Sequence, residues 1–184
     1  MEDFILKLAR ETIETYVKTG RRISIPENYP EKLNEKRGIF VTIYRKDSKE
    51  LRGCVGLPYP QISLIEGLIQ AAISACEDPR FEPLSQEELD KIIIEVSILT
   101  EPELIDVKNP REYIEKIEIG KHGLIIKKGF NSGLLLPKVP VELNWDINDY
   151  LENLCLKADM TTDSWMDSYS KIYKFEAEVF RESD

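Results

Sequence analysis

Cys54, Cys76 and Cys155 are the only thiols in this chain and His122 its only imidazole, so the search for nucleophile and base begins with four positions. Cys54 lies in Leu51-Arg52-Gly53-Cys54-Val55-Gly56, which reads as a strand ending in a Gly56-Leu57-Pro58 turn. Side chains alternate along a strand, so Arg52 and Cys54 are expected on one face, roughly 6.5–7 Å apart. A cysteine attacks as its thiolate, and a neighbouring guanidinium favours that charged form. His122 as general base would complete a Cys–His arrangement. Gly53 and Gly56 flank the thiol and leave room for another backbone, or a ligand, to approach.

Each of these residues also has a plainer reading. Cys54 can be a small buried hydrophobe and Arg52 a salt-bridged strand residue. His122, between Gly120 and Gly123, can hold its loop by hydrogen bonds. Asp78 and Arg80 flank Pro79 in a tight turn, where they either bind an anionic ligand or pair with each other and cap helix ends. Cys76 and Cys155 fall on apolar helical stripes and belong to the core. Trp145 and Trp165 read as packing anchors. One histidine and no CxxC pair argue against a structural zinc site, and no phosphate loop, dinucleotide fingerprint or EF-hand is present. No metal and no cofactor is expected.

The elements that must position these residues are well marked. Ile5, Leu8, Ala9, Thr12, Ile13, Tyr16 and Val17 recur at helical spacing over 2–19, with Gly20 as the cap. Residues 39–44 and 51–55 alternate about a charged turn and predict a hairpin, in which Ile39, Val41 and Ile43 share a face with Leu51 and Val55. Arg52 and Cys54 then lie with Thr42 and Tyr44, and Gly53 thins the buried face for a closely packed helix. That helix opens at the capping box Ser63-x-x-Glu66, presents Leu64, Leu68, Ala71, Ala72 and Ala75, and stops at Asp78-Pro79. A second box, Ser85-x-x-Glu88, precedes a strand over 91–100 apolar enough to be central in its sheet.

Asn109-Pro110 starts a short helix reaching about Lys116. Residues 123–127 and 133–136 predict a second hairpin, and 146–158 a helix. Tyr173 to Val179 alternates as one closing strand. Hairpins and single strands interleaved with helices, rather than strict βαβ units, indicate an α+β fold with a mainly antiparallel sheet.

Composition narrows the function classes. The 184 residues are 42% hydrophobic, ordinary for a globular chain with a sizeable core, and carry a net charge of −9. Such an acidic surface argues against non-specific binding to nucleic acid or anionic membranes. No apolar run is long enough to span a bilayer. The acidic start Met1-Glu2-Asp3 lacks the features of a signal peptide, and three widely spaced cysteines suit reduced thiols, so a cytoplasmic protein is expected.

The hexapeptide from Leu51 to Gly56 resembles the Leu-Arg-Gly-Cys-Ile-Gly signature of the AMMECR family, with Val55 in place of isoleucine. Asp78-Pro79-Arg80-Phe81-x-Pro83-Leu84 is similar to a second family motif and Glu95-Val96-Ser97-x-Leu99-Thr100 to a third. Gly120-x-His122-Gly123 with Leu135-Leu136-Pro137 is similar to a fourth. The resemblance spans nearly the whole chain and implies a single domain over 1–184, helices flanking its sheet. It also implies two unequal lobes, the larger holding both termini, with a cleft between them. The boundary of the smaller lobe is not marked in the sequence.

The family is defined by its fold rather than by a reaction. The resemblance implies Memo-like and radical SAM proteins as partners, and a role beside them on a nucleotide, an RNA or a small metabolite. One reading is therefore an enzyme or its substrate-binding component, with Cys54 and His122 catalytic and Arg52, Gly53, Gly56, Asp78 and Arg80 holding an anionic substrate. Another is a non-catalytic adaptor docking a protein partner through the signature surface, which predicts an exposed apolar patch around Gly56-Leu57-Pro58-Tyr59. A third makes the motif structural only.

Overall fold

A computed structural model describes residues 1–59 and 61–183. In chain order the elements begin with helix α1 (Glu2–Thr19), strands β1 (Ile39–Arg45) and β2 (Leu51–Leu57), and helix α2 (Leu64–Cys76). Strands β3 (Ile92–Leu99) and β4 (Glu103–Leu104), helix α3 (Tyr113–Lys116) and strands β5 (Gly123–Lys128) and β6 (Asn131–Leu135) follow. Helices α4 (Val139–Glu142) and α5 (Ile147–Lys157) and strands β7 (Lys171–Phe175) and β8 (Ala177–Arg181) complete the order. Among the described residues there are two four-stranded sheets, ordered β2-β1-β3-β8 and β4-β7-β5-β6. The expected α+β class, with antiparallel sheets flanked by helices, is borne out.

The chain divides into two compact units, Met1–Leu99 with Glu178–Asp184, and Thr100–Ala177. In the larger unit, which holds both chain ends, α1 and α2 contribute to a core with one face of the first sheet. Ile5, Leu8 and Ile13 meet Leu64, Leu68 and Ala72 there, together with Val41, Ile43, Ile94 and Val96. Each large aliphatic side chain removed from water contributes roughly 1.5–3 kcal/mol. α2 begins as its residues require: Ser63 and Glu66 form a reciprocal capping box. β3 is interior and buried along its whole length, as its apolar run predicts.

In the smaller unit α5 packs Tyr150, Leu151, Leu154 and Cys155 against Leu124, Ile126, Leu135 and Ile172 of the second sheet. The three cysteines are free, and Cys76 and Cys155 are buried as expected. Burial pushes the Cys76 thiol up to about 12.

Three local expectations are corrected. The closing strand is two strands. The sequence alternation runs through Glu176, but there the backbone leaves the ladder, Glu176 N–H donating to Thr100 Oγ1 (2.8 Å) and its carbonyl accepting from Thr100 N–H (2.8 Å). Beyond it Val179 is exposed while Phe180 packs on the first core. Strand β7 thus belongs to the second sheet and β8 to the first. The second hairpin turns more tightly than expected, with Lys128 paired to Asn131 around Gly129-Phe130. Finally, the first hairpin contains a bulge. Ile43 pairs with Gly53 and Tyr44 with Leu51, leaving Arg52 as the extra residue. Leu51 therefore opposes Tyr44 instead of joining the Ile43 face, and the predicted alternation fails at Arg52.

A thiol corner at the edge of the first sheet

β2 is an edge strand, so one row of its backbone groups has no strand partner. The Asp78-Pro79-Arg80 turn after α2 supplies partners for one residue of that row, Cys54. Asp78 Oδ2 accepts the Cys54 N–H at 2.9 Å, and Arg80 Nη2 approaches the Cys54 carbonyl at 3.4 Å. The two residues are also joined to each other. Asp78 accepts from Arg80 Nε (3.0 Å), from Arg80 Nη2 (2.7 Å) and from the Arg80 backbone N–H (3.1 Å).

Those hydrogen bonds, the Arg80 guanidinium first among them, hold the Asp78 carboxyl well below the usual carboxylate range although its burial opposes this. The carboxylate in turn raises Arg80 above its ordinary value. Their exposures differ sharply: the Asp78 side chain is 3% exposed and that of Arg80 57%. The pair behaves as a mimic of an adjacent strand, anchored in the protein at one end and open at the other.

Both neighbouring glycines are required by close approaches. A Cβ on Gly53 would lie 2.3 Å from the Ala75 carbonyl oxygen, so the α2 backbone fits only because the side chain is missing, as the sequence suggests. A Cβ on Gly56 would lie 2.3 Å from the Phe40 ring, its cross-strand neighbour. The room expected at Gly53 and Gly56 is thus occupied by the protein's own backbone and ring.

Cys54 is half-buried, and its sulfur lies 3.2 Å from Thr42 Oγ1. Arg52 does not accompany it. As the bulge residue it is drawn to Glu88, with Nε 2.7 Å from Oε1 and Nη2 2.9 Å from Oε2, and to the Pro83 carbonyl at 3.4 Å. The Arg52 guanidinium lowers Glu88 to about 2, against the cost of burial. The Phe81 ring lies near both arginines, 6.0 Å from the Arg52 Cζ and 5.6 Å from that of Arg80.

His122 belongs to the smaller unit and Cys54 to the larger. Its Nδ1 accepts the Glu118 N–H at 3.0 Å, its own N–H donates to the Glu118 carbonyl, and its carbonyl accepts from Tyr150 Oη at 2.9 Å. Burial lowers the imidazole below its ordinary value, and Lys174 and Lys121 add to the effect. A neutral ring that accepts at Nδ1 carries its proton on Nε2 and offers a donor there. The geometry seen around His122 is that of a residue pinning the 118–122 turn.

Three participants carry no chemical signal in the sequence pattern. The hairpin register places Thr42 on the Cys54 face, yet nothing in the sequence marks its hydroxyl as the sulfur's partner. Glu88 read only as a helix cap, and Phe81 only as part of a motif. Among the described residues no group of three or more His, Cys, Asp or Glu side chains is placed to hold a metal ion, and no helix is long and apolar enough to cross a membrane.

Comparison with known proteins matches this architecture to one family. The AMMECR1 pattern covers residues 6–180, and the chain belongs to that family. It is 56% identical over 180 residues to Protein MJ0810 of Methanocaldococcus jannaschii, spanning 97% of this chain and 89% of that one. It is 49% identical over 179 residues to Protein NEQ441 of Nanoarchaeum equitans, spanning 97% of this chain and 98% of the relative. The crystal structure of the uncharacterized protein PH0010 from Pyrococcus horikoshii is similar throughout. Its TM-score is 0.89 at 48% sequence identity, over 98% of this chain and 90% of that one.

Proposed function

We propose that the Cys54–Asp78–Arg80 corner is the substrate-binding site of an enzyme or of an enzyme's binding component. In this reading Arg80 receives the anionic group of a nucleotide, RNA or small metabolite, and Cys54 supplies the reactive thiol. The supporting observation is the unequal Asp78–Arg80 pair. A buried carboxylate fixes a half-exposed guanidinium beside the Cys54 backbone, and among the described residues no acceptor engages its Nη1. A guanidinium oriented in advance and still holding free donors is suited to carboxylate or phosphate. Asp78 orients Arg80, Gly53 and Gly56 let the strand pack, and Arg52 braces the segment carrying Phe81 through Glu88. The Memo-like and radical SAM proteins implied by family resemblance are the partners this reading puts beside the site.

The test is iodoacetamide labelling of Cys54, mapped by peptide mass across pH, in wild type and Arg80→Ala. Buried Cys76 and Cys155 provide internal controls. The reading expects labelling near neutral pH, slowed in Arg80→Ala and protected by inorganic phosphate. A Cys54 inert until strongly alkaline pH removes the thiol chemistry.

A second reading, the adaptor, draws support from Tyr59, 47% exposed next to half-buried Leu57 and Pro58. It expects Tyr59→Ala to abolish a purified partner's binding while Cys54→Ala leaves it intact.

A further inference from the structure

We infer that Thr42 is the positioning residue of the Cys54 thiol, its hydroxyl donating to the sulfur and aiming it at incoming ligand. This rests on the proposed reading of Cys54 and adds a residue to it.

The ladder explains why the two meet. Thr42 and Cys54 are direct cross-strand partners. The Cys54 N–H and carbonyl are turned away from β1, toward Asp78 and Arg80. Their pairing is therefore of the non-hydrogen-bonded kind, in which facing side chains come closest. The same phase of the ladder that opens the strand's edge to the arginine clamp brings the hydroxyl to the sulfur.

Thr42 is 1% exposed, and among the described residues the Cys54 sulfur is the one hydrogen-bond partner of its side chain. Leave the sulfur out and Thr42 is a buried hydroxyl with nothing to bind, aimed at the site. A buried polar group of that sort needs its partner. A hydroxyl and a protonated thiol carry two hydrogens, and their mutual contact uses one. Ionising the sulfur removes the surplus, and the Thr42 O–H then donates to a charged acceptor, the stronger kind of hydrogen bond. The β-branched side chain is stiff about χ1, so it holds the sulfur in one direction.

The charged and titratable groups around the pair come from two sides. Asp78 and Arg80 close the strand edge. Glu95 stands across from Thr42 on β3, with the Tyr44 hydroxyl and Arg181 Nη1 each 3.4 Å from its carboxylate. Substituting Thr42 leaves all of them in place.

The experiment compares Thr42→Val, which keeps the shape and removes the hydroxyl, with Thr42→Ser, which keeps the hydroxyl. The probe is iodoacetamide, whose carbon bonds to the sulfur as iodide leaves. We expect Thr42→Val to slow Cys54 alkylation at neutral pH about tenfold and to move the pH profile upward. Thr42→Ser should return to within about twofold of wild type. Identical profiles for Thr42→Val and wild type overturn the inference, as does a Thr42→Ser variant no faster than Thr42→Val. Should Thr42→Val fail to fold, Thr42→Ala is read in its place. A wild-type Cys54 that reacts only under strongly alkaline conditions overturns the parent reading instead, so the two failures are distinct.

Discussion

Two arginine–carboxylate clamps grip the first sheet, and they are built alike up to the last donor. At the β2 edge Asp78 accepts the Cys54 N–H and is held by Arg80. Beyond the end of β8, Glu182 accepts the Ile94 N–H of β3 and is held by Arg10. Arg10 then donates to the Leu89 and Ile92 carbonyls as well, so Nε and both terminal nitrogens are all engaged within the protein. Arg80 keeps Nη1 for something else, and its side chain is 57% exposed against 25% for Arg10. Equal chemistry at the carboxylate thus serves two ends. A guanidinium whose three nitrogens are all engaged fastens the fold, and one with a terminal nitrogen in reserve can read a ligand.

The sharpest way to break this contrast is Arg10→Ala, which strips four hydrogen bonds and leaves Glu182 alone at the backbone. The loss expected in urea unfolding is about 3 kcal/mol. Asp78→Asn comes next, at about 2 kcal/mol, because it weakens the hold on Arg80 while keeping the shape of the Cys54 cap. Arg80→Ala should cost under about 1 kcal/mol, since its side chain is mostly solvated, yet slow Cys54 labelling clearly. If Arg80→Ala destabilised as much as Arg10→Ala, the division of roles would be wrong.

The pH test is subtler. Glu88 is depressed in the fold from 4.5 to about 2 by Arg52, so its contribution is present above about 4.5 and fades as pH falls toward 2. Asp78 is depressed too and works in the same sense. Acid unfolding followed by circular dichroism should therefore steepen in that window, and Glu88→Gln should flatten it. The smallest effect belongs to Tyr59→Ser, within about 0.5 kcal/mol of wild type.

Much of this was legible from residue patterns. The two capping boxes, the long first helix and the apolar β3 follow local rules that tertiary structure had no reason to override. Gly53 was legible as a site of close packing because a missing side chain in an apolar strand face has few other uses. The bulge was not. A strict period of two cannot register an extra residue, so it puts Arg52 beside the thiol when its guanidinium lies on Glu88. Strand β4, of two residues, and α4, of four with Pro140 inside, are too short to show a period. The change of sheet at Glu176 is silent because Tyr173, Phe175, Ala177 and Val179 alternate straight through it in the sequence, although Val179 is exposed and Phe180 packs on the first core instead. The Arg80 clamp lay among the alternatives for that turn, but its role as a stand-in strand depends on β2 being an edge, which no single stretch of sequence declares.

Strand β8 is made from Ala177–Arg181, while β1, β2 and β3 of the same sheet precede residue 100. During synthesis the ribosome must therefore deliver the entire 100–177 segment before β3 acquires its outer neighbour and Arg10 its carboxylate. Until then the nascent protein carries an uncovered, strongly apolar strand border, a natural place for a chaperone to attend.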